Sequence, residues 1–431
     1  MSETPVAGRG QEPGMATYLR LILLAALIGI PAALVAAGFL ALVHYLQHWL
    51  WEELPEALGY SSPPWYLVLL LPVAGAALVL AARRLLPGDG GHRPLEGLGI
   101  GLVPISHGLG IALAAIATLA FGGVLGPEAP LVALGAIVGL IVTSFAKHGE
   151  RERGVLATAG SFSAISALFG GPLVGGVLMV EGAIGLGAAA LPLLLPGFVA
   201  AAVGYVVIIG FGDWGGLDVA GLAVPDLPLY DGPHPGDMFL AVCVGVLTAL
   251  LVLAVQAFAK RAEGPGQARF GLPAVLLGGG AAIGALALLA DALGADSQDV
   301  LFSGQASVPT LAAEDSTKIV LVLLVAKALA YGVSLGCGFR GGPVFPAIFL
   351  GIAIAELSVI WFDTSPTWAI AVGAAAGTAA VTGLLLSSMV LATLLVGAVG
   401  VDAVPSAVLA ASTAWLVVKG LERRGQQVWS A

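Results

Sequence analysis

Gly123–Gly139 reads GVLGPEAPLVALGAIVG, an apolar run with a single ionisable side chain, Glu128, at its head. A helix beginning near Gly126 would present unpaired N–H groups and the positive end of its dipole there, so the stretch predicts a helix start able to hold an anion. Glu128 then stands where a free anion could also stand. One reading makes it a first-turn acid that completes the helix cap. The other makes it a carboxylate that plugs an anion path when ionised and swings away when protonated or displaced. A charge at membrane depth costs about 2.5–3.5 kcal/mol on insertion scales, and the surrounding amides lower that cost.

Membrane depth is what the rest of the chain implies. Of its 431 residues, 58% are hydrophobic and only 10% charged, the mean hydropathy is +1.01, and long apolar runs recur throughout. That composition predicts an all-α polytopic membrane protein, since a soluble chain would need charged surface that is missing here. The net charge of −9 lies mostly in loops and tails, and no basic block with interleaved aromatics occurs, so nucleic acid is not an expected partner. Cys243 and Cys337 lie far apart inside apolar runs and offer neither metal spacing nor a disulfide framework. His44 and His48, at i and i+4, lack a third ligand nearby and read as an interfacial pair. Neither an HExxH zinc motif nor a Gly-x-Ser-Gly nucleophile turn is present, so neither enzyme activity nor a cofactor is expected.

Apolar segments fall near Thr17–Leu50, Pro64–Leu86, His107–Gly122, Gly126–Ala146, Gly154–Phe169, Gly171–Ile184 and Ala188–Gly212. A second series follows near Asp237–Ala259, Phe270–Leu293, Ile319–Gly336, Pro343–Phe362, Thr367–Leu385, Ser387–Val401 and Ala403–Gly420. Several are shorter than the roughly 20 residues of a full span and are broken by Gly and Pro, which predicts re-entrant or half-crossing helices. Basic residues group at Arg9/Arg20, Arg83/Arg84/Arg93, Lys147/Arg151/Arg153, Lys260/Arg261/Arg269 and Lys419/Arg423/Arg424, whereas the loops around Asp213–Asp231 and Asp291–Asp315 are acidic. The positive-inside rule then puts both termini in the cytoplasm and the acidic loops outside. The expected organisation is a disordered cytoplasmic tail (1–16), a first membrane repeat (17–212), an extracellular linker (213–236), a second membrane repeat (237–420) and a short cytoplasmic tail (421–431), with the membrane part as the whole machine.

The opening stretch has an echo. GVLGPEAPLVALG (Gly123–Gly135) and GFRGGPVFPAIFLG (Gly338–Gly351) each carry a Gly cluster, a Pro, four residues and a Gly. At comparable depth in the two halves, they suggest an inverted repeat whose broken helices meet near the midplane. GFRGGPVFP is then either a second helix start, from Pro343 on, facing the same anion, or a tight turn between two spans. Arg340 within it is either a potential-setting cation or an interfacial anchor. ALFGGPLVGGVLMVEGAIG (Ala167–Gly185) has another Gly-Gly-Pro start, and its Glu181 is either a proton relay or a structural acid at a helix end. Lys327, deep in VLVLLVAKALAYG, is either a cation facing a cavity or a snorkelling or carboxylate-paired lysine.

Three of these stretches together resemble the CLC chloride channels and chloride/proton antiporters. GVLGPEAPLVALGAIVG is similar to that family's GREGP helix, with Gly126-Pro127-Glu128-Ala129-Pro130 in register. LFGGPLVGGVLMVE (Leu168–Glu181) resembles FNAPLAGxxFxxE, and KALAYGVSLGCGFRGGPVFPAIFLG (Lys327–Gly351) resembles the lysine-bearing helix and GxFxP region. The resemblance spans about Leu21 to Gly420. It implies a homodimer in the cell membrane, one anion pathway per subunit, built from an inverted repeat of tilted, broken and re-entrant helices. Glu128 would be the gating glutamate, and Gly126, Pro127, Ala129 and Pro130 with Gly341, Gly342, Val344 and Phe345 would line the anion sites.

The sequence also departs from the family. The GSGIP loop should fall near DGGHRPLEG (Asp89–Gly97), where Gly90 is nearest to the missing pore serine, and the pore tyrosine would lie near Gly400. Pro127 and Ala129 replace the GREGP arginine and second glycine, and the inner proton-transfer glutamate would fall at Gly182. The expectation is a channel or transporter of chloride or another small anion, passive or loosely proton-linked, with Glu128 as gate. The rivals are a strict anion/proton antiporter, for fluoride among other anions, and a pore-inactive membrane scaffold.

Overall fold

The computed structural model describes residues 15–99, 101–145, 149–182, 191–215 and 222–429. Residues 1–14 of the expected N-terminal tail, Lys147 of a basic group, the stretch 183–190 and residues 216–221 of the expected linker lie outside them. Among the described residues the regular structure is helical, apart from one isolated antiparallel bridge between Gly126 and Gly342.

In the first half, α1 (Met15–His48) continues through a π-turn into the short α2 (Leu54–Ala57). There follow α3 (Trp65–Leu85), α4 (Gly108–Leu119), α5 (Glu128–Ser144), α6 (Glu150–Leu168), α7 (Pro172–Gly182) and α8 (Leu191–Gly215). The second half holds α9 (Pro235–Arg261), α10 (Gln267–Ala292), the short α11 (Ser297–Val300) and α12 (Val308–Ala312), and α13 (Thr317–Gly336). It ends with α14 (Val344–Phe362), α15 (Pro366–Thr382), α16 (Leu385–Val396) and α17 (Val404–Trp429). Residues 421–429, expected as a tail, continue α17 as helix, with Lys419 paired to Glu422 at 2.9 Å along it.

Six helical stretches among the described residues are long and apolar enough to cross a membrane, and α4, α5 and α7 fall among shorter apolar helices. At about 1.5 Å per residue, α5 cannot cross a hydrocarbon core of about 30 Å. The long helices show two apolar faces of different character. On α1, Leu21, Ala25, Ile28, Ala32, Ala36, Phe39 and Val43 recur at three- and four-residue steps and are buried, while Leu19, Leu23, Leu27 and Leu34 are exposed. Hydrophobicity is thus uniform round the helix; Ala25, Ala32 and Ala36 on the buried face let α6 and α8 approach α1, while the exposed leucines face outward.

The two halves repeat with an offset of 216 residues, the spacing from Gly126 to Gly342. Gly122 and Gly338 have φ of 91° and 103°. Pro127 and Pro343, the residues just before α5 and α14, have φ/ψ of −82°/−1° and −91°/−4°. Thr118 and Ser334 carry matching hydroxyls: Thr118 Oγ1 accepts from Arg340 N at 3.1 Å, and Ser334 Oγ accepts from Val124 N at 3.0 Å. Each half therefore holds the loop that precedes the other half's broken helix. Packing follows the same repeat, α5 crossing α6 where Gly135 meets the Gly160 carbonyl, and α14 crossing α15 where Gly351 meets the Gly373 carbonyl. A side chain at either glycine would collide with that carbonyl, so the close crossings require hydrogen there. Because the Gly126–Gly342 bridge is antiparallel, α5 and α14 leave it in opposite directions, which gives the inverted repeat.

Candidate anion site

The bridge decides which amides can serve an anion. Gly126 N donates to Gly342 O at 2.7 Å and Gly342 N donates to Gly126 O at 2.5 Å, so both amides are engaged with each other. Pro127, Pro130, Pro343 and Pro346 have no N–H at all. Leu131 N already donates to Pro127 O at 3.1 Å, closing the first helical turn of α5. The helix-start donors that remain are the amides of Glu128 and Ala129 on one side and of Val344 and Phe345 on the other. Of the expected lining residues, Gly126, Pro127, Pro130 and Gly342 have no amide to spare, whereas Ala129, Val344 and Phe345 do, together with Glu128. Gly341 is wedged against the opposite half, where an added Cβ would come within 2.7 Å of Leu125 Cβ.

Glu128 occupies this junction. Its side chain is fully buried, and Oε1 accepts a hydrogen bond from Phe345 N at 2.9 Å, across the two halves. The amides of Val344 and of Glu128 itself also bear on the carboxylate, while Oε2 has no hydrogen-bond partner. A Cβ on Gly342 would overlap Oε2, so that glycine makes room for the carboxylate. The Phe345 ring stacks on Phe169 with centroids 5.7 Å apart, which brings the stretch before α7 to the same place. Tyr331 of α13, also fully buried, donates its hydroxyl to Pro343 O at 2.7 Å and braces the start of α14. Sequence reasoning passed over Tyr331, although a phenol inside an apolar span must find an acceptor.

Arg340 lies two residues before Gly342 and is buried. Its guanidinium donates to Asp89 O at 3.0 Å and to Asp89 Oδ2 at 2.7 Å, and Arg83 grips the same carboxylate from the other side at 2.8 and 2.9 Å. Burial pushes the Asp89 carboxyl up, but Arg83 and Arg340 outweigh it and leave it below the ordinary carboxylate value. Gly90 sits next to this clamp, where an added Cβ would lie 3.2 Å from Arg340 and 3.0 Å from Ala114.

Other sequence candidates lie elsewhere. The Lys327 ammonium donates to the carbonyls of Asp299 (2.7 Å), Val300 (3.4 Å) and Leu301 (2.9 Å) and lies 4.4 Å from the centre of the Phe349 ring. It caps the C-terminal end of α11, a role that neither alternative read from the sequence had named. Glu181 accepts from Leu385 N (2.6 Å), Leu386 N (2.9 Å), Ser387 N (2.7 Å) and the Ser387 hydroxyl (2.7 Å), capping the start of α16. Gly400, expected in the pore lining, lies apart from the Glu128 junction. It packs on Val396 and Thr367, where Thr367 donates to Pro228 O at 2.5 Å and Tyr230 N donates to Val399 O at 3.1 Å. Thr367 precedes by ten residues Gly377, which faces Ala347 at the start of α14, so Gly400 is about 15 Å along the helix axis from the Glu128 junction. A second buried carboxylate escaped sequence notice altogether: Glu356 of α14, with Oε2 unpartnered.

A family model described as voltage gated chloride channel matches residues 91–419. The chain belongs to this family. A slow cyanobacterial Cl−/H+ antiporter shares the fold with a TM-score of 0.74 at 16% identity, covering 96% of each chain. A CLC-type fluoride/proton antiporter does so with a TM-score of 0.71 at 19% identity, covering 95% of this chain and 98% of its own. Among relatives by sequence, an Escherichia coli protein described as the ion-transport protein YfeO is 27% identical over 352 residues, 80% of each chain. Family membership and the helical count together make this a multi-span membrane protein.

Proposed function

We propose that this chain moves a small inorganic anion across the membrane through the junction of α5 and α14, with Glu128 as a tethered occupant of the anion site. The observation that carries this reading is the hydrogen bond from Phe345 N to Glu128 Oε1 at 2.9 Å. A carboxylate from one half there takes an amide of the other half's helix start, which a halide would take in its absence. Oriented amides replace part of an anion's hydration shell, and the four donors left over by the prolines and the bridge are enough to do so weakly, which transit requires. A homodimer in the cell membrane, with the basic end and both termini in the cytoplasm, belongs to the same proposal.

The test is efflux from liposomes across chloride, fluoride, nitrate and bromide, with pH recorded. Glu128→Gln and Glu128→Ala are expected to give an ungated flux that has lost the wild-type pH response. Identical flux and pH response in wild type and variants would refute the gate, and no flux of any anion from folded protein would favour the scaffold reading.

Glu356 favours coupling to protons as a second reading. It lies eleven residues beyond Phe345 on α14, about 16 Å along the helix. Ala347 faces Gly377 and Gly351 faces Gly373, a register that puts Glu356 opposite Trp368, whose Nε1 is also unpartnered. A buried carboxylate in a membrane helix is costly unless it is neutral or functional. Glu356→Gln is expected to abolish proton movement while anion flux persists; unchanged proton movement removes Glu356 from the coupling.

A further inference from the structure

At the basic end of the molecule a cavity of about 270 Å³ lies between α3, the α9–α10 turn and the end of α13. Its wall carries four cations, Arg83, Arg93, Lys260 and Arg340, against one carboxylate, Glu263. Arg340 is buried at the inner end, whereas Arg93 and Lys260 are exposed. Arg93 reaches Glu263 only at 3.8 Å, and among the described residues Lys260 forms no ion pair.

Two of these cations already hold an oxyanion. Arg83 binds the Asp89 carboxylate with Nε and Nη2, the two-pronged geometry that matches carboxylate and phosphate oxygens, and Arg340 adds a third donor. Asp89 is itself half-exposed and sits at φ 48° between Gly88 (φ 91°) and Gly90 (φ 73°), so it hangs on a turn that short side chains alone allow. A halide in transit needs a site weak enough to leave, and four cations set against only the Glu263 and Asp89 carboxylates exceed that need. The volume is well above the about 150 Å³ that accommodates benzene in an engineered protein cavity. A dianion with several acceptor oxygens matches both the charge and the space.

We propose that this cavity binds a phosphate-type dianion, free or as a phosphate ester, with Lys260 and Arg93 at its mouth and Arg83 and Arg340 at its inner wall, in competition with the Asp89 carboxylate. Because Arg340 N donates to Thr118 and Arg340 stands two residues before Gly342, occupation bears on the loop that shapes the Glu128 junction. The site itself does not depend on that junction carrying an anion.

Calorimetric titration of the purified full chain with inorganic phosphate, at constant ionic strength, tests it. Lys260→Gln and Arg93→Gln, both exposed and outside the Asp89 clamp, should each weaken phosphate by about tenfold, and Asp89→Asn should tighten it. No binding of phosphate, affinity unchanged in both Lys260→Gln and Arg93→Gln at wild-type melting temperature, or displacement of phosphate by equimolar chloride would overturn the proposal. Two further arms separate the sources. Displacement by soluble glycerol phosphate supports a soluble ester, and displacement only by phosphatidic acid in nanodiscs supports a lipid headgroup.

Discussion

At the scale of the residue, one carboxylate and two missing side chains, at Gly126 and Gly342, define the junction. Glu128 and Val344 are equivalent under the 216-residue repeat, so the two-fold arrangement of helix starts contains a single acid, on one side only. Gly342 is the complement of that acid, since a methyl group there would overlap Glu128 Oε2. Gly342→Ala is therefore expected to destabilise the wild type by about 1–3 kcal/mol through overpacking, and much less when combined with Glu128→Ala. The non-additivity, read from melting temperatures of the two single variants and the double variant in detergent, checks the contact. Equal losses in both backgrounds would mean that Gly342 is needed for the bridge to Gly126 and not for Glu128. Glu128 was legible as an acid at a helix start. Gly342 was legible as part of a Gly-Pro cluster and, by resemblance, as a lining residue, but not as the space for Glu128, because its partner is 214 residues away.

At the scale of the element, short helices that end inside the protein must have their termini satisfied by side chains from elsewhere. Glu181 does this for α16, taking three amides and a hydroxyl, and Lys327 does it for α11 with three carbonyls. Both residues were visible in the sequence as charges in apolar surroundings, and in both the partner was not. A cap and a proton relay respond differently to substitution. Glu181→Ala should lower stability by about 1–2 kcal/mol, as loss of a cap does, while Glu181→Gln keeps an acceptor and most of that stability. Proton movement recorded with anion flux should be the same in Glu181→Gln and wild type; its loss in the Gln variant would assign Glu181 to a proton path instead. Gly400, placed in the pore by resemblance alone, sits beside Thr367 at the start of α15, where Val224 and Tyr230 of the linker bond to the carbonyls of Leu395 and Val399.

At the scale of the whole molecule, the halves are tied to each other by polar contacts embedded in apolar packing. Three such ties surround the junction: the Gly126–Gly342 bridge, the reciprocal Thr118 and Ser334 hydroxyls, and the clamp of Arg83 and Arg340 on Asp89. Only the clamp titrates near accessible pH. The folded-state pKa of Asp89 is lowered, so its contribution is complete above the unfolded carboxylate value of about 3.9 and is lost as pH falls through the lower folded value. The gap in melting temperature between wild type and Asp89→Asn should be constant from neutral pH to about pH 5 and should close below about pH 4. A gap that persists at low pH would place the effect of the substitution in packing and not in charge.

What the sequence by itself determined is whatever depends on local chemistry and on solvent: helices in lipid from composition, broken helices from Gly and Pro, an acid at a helix start, and three motifs that together resemble one family. These signals are short-range, because backbone hydrogen bonding and hydropathy are satisfied within a few turns. Only the tertiary structure decided which amides remain free, which charges are already paired and which carboxylate is not, since each of those depends on a partner from the other half of the chain. Glu128 meets Phe345, Arg340 meets Asp89 and Glu181 meets Leu385 across 200 residues or more. Glu356 is left with an unpartnered oxygen in a fully helical, apolar context that no local pattern distinguishes.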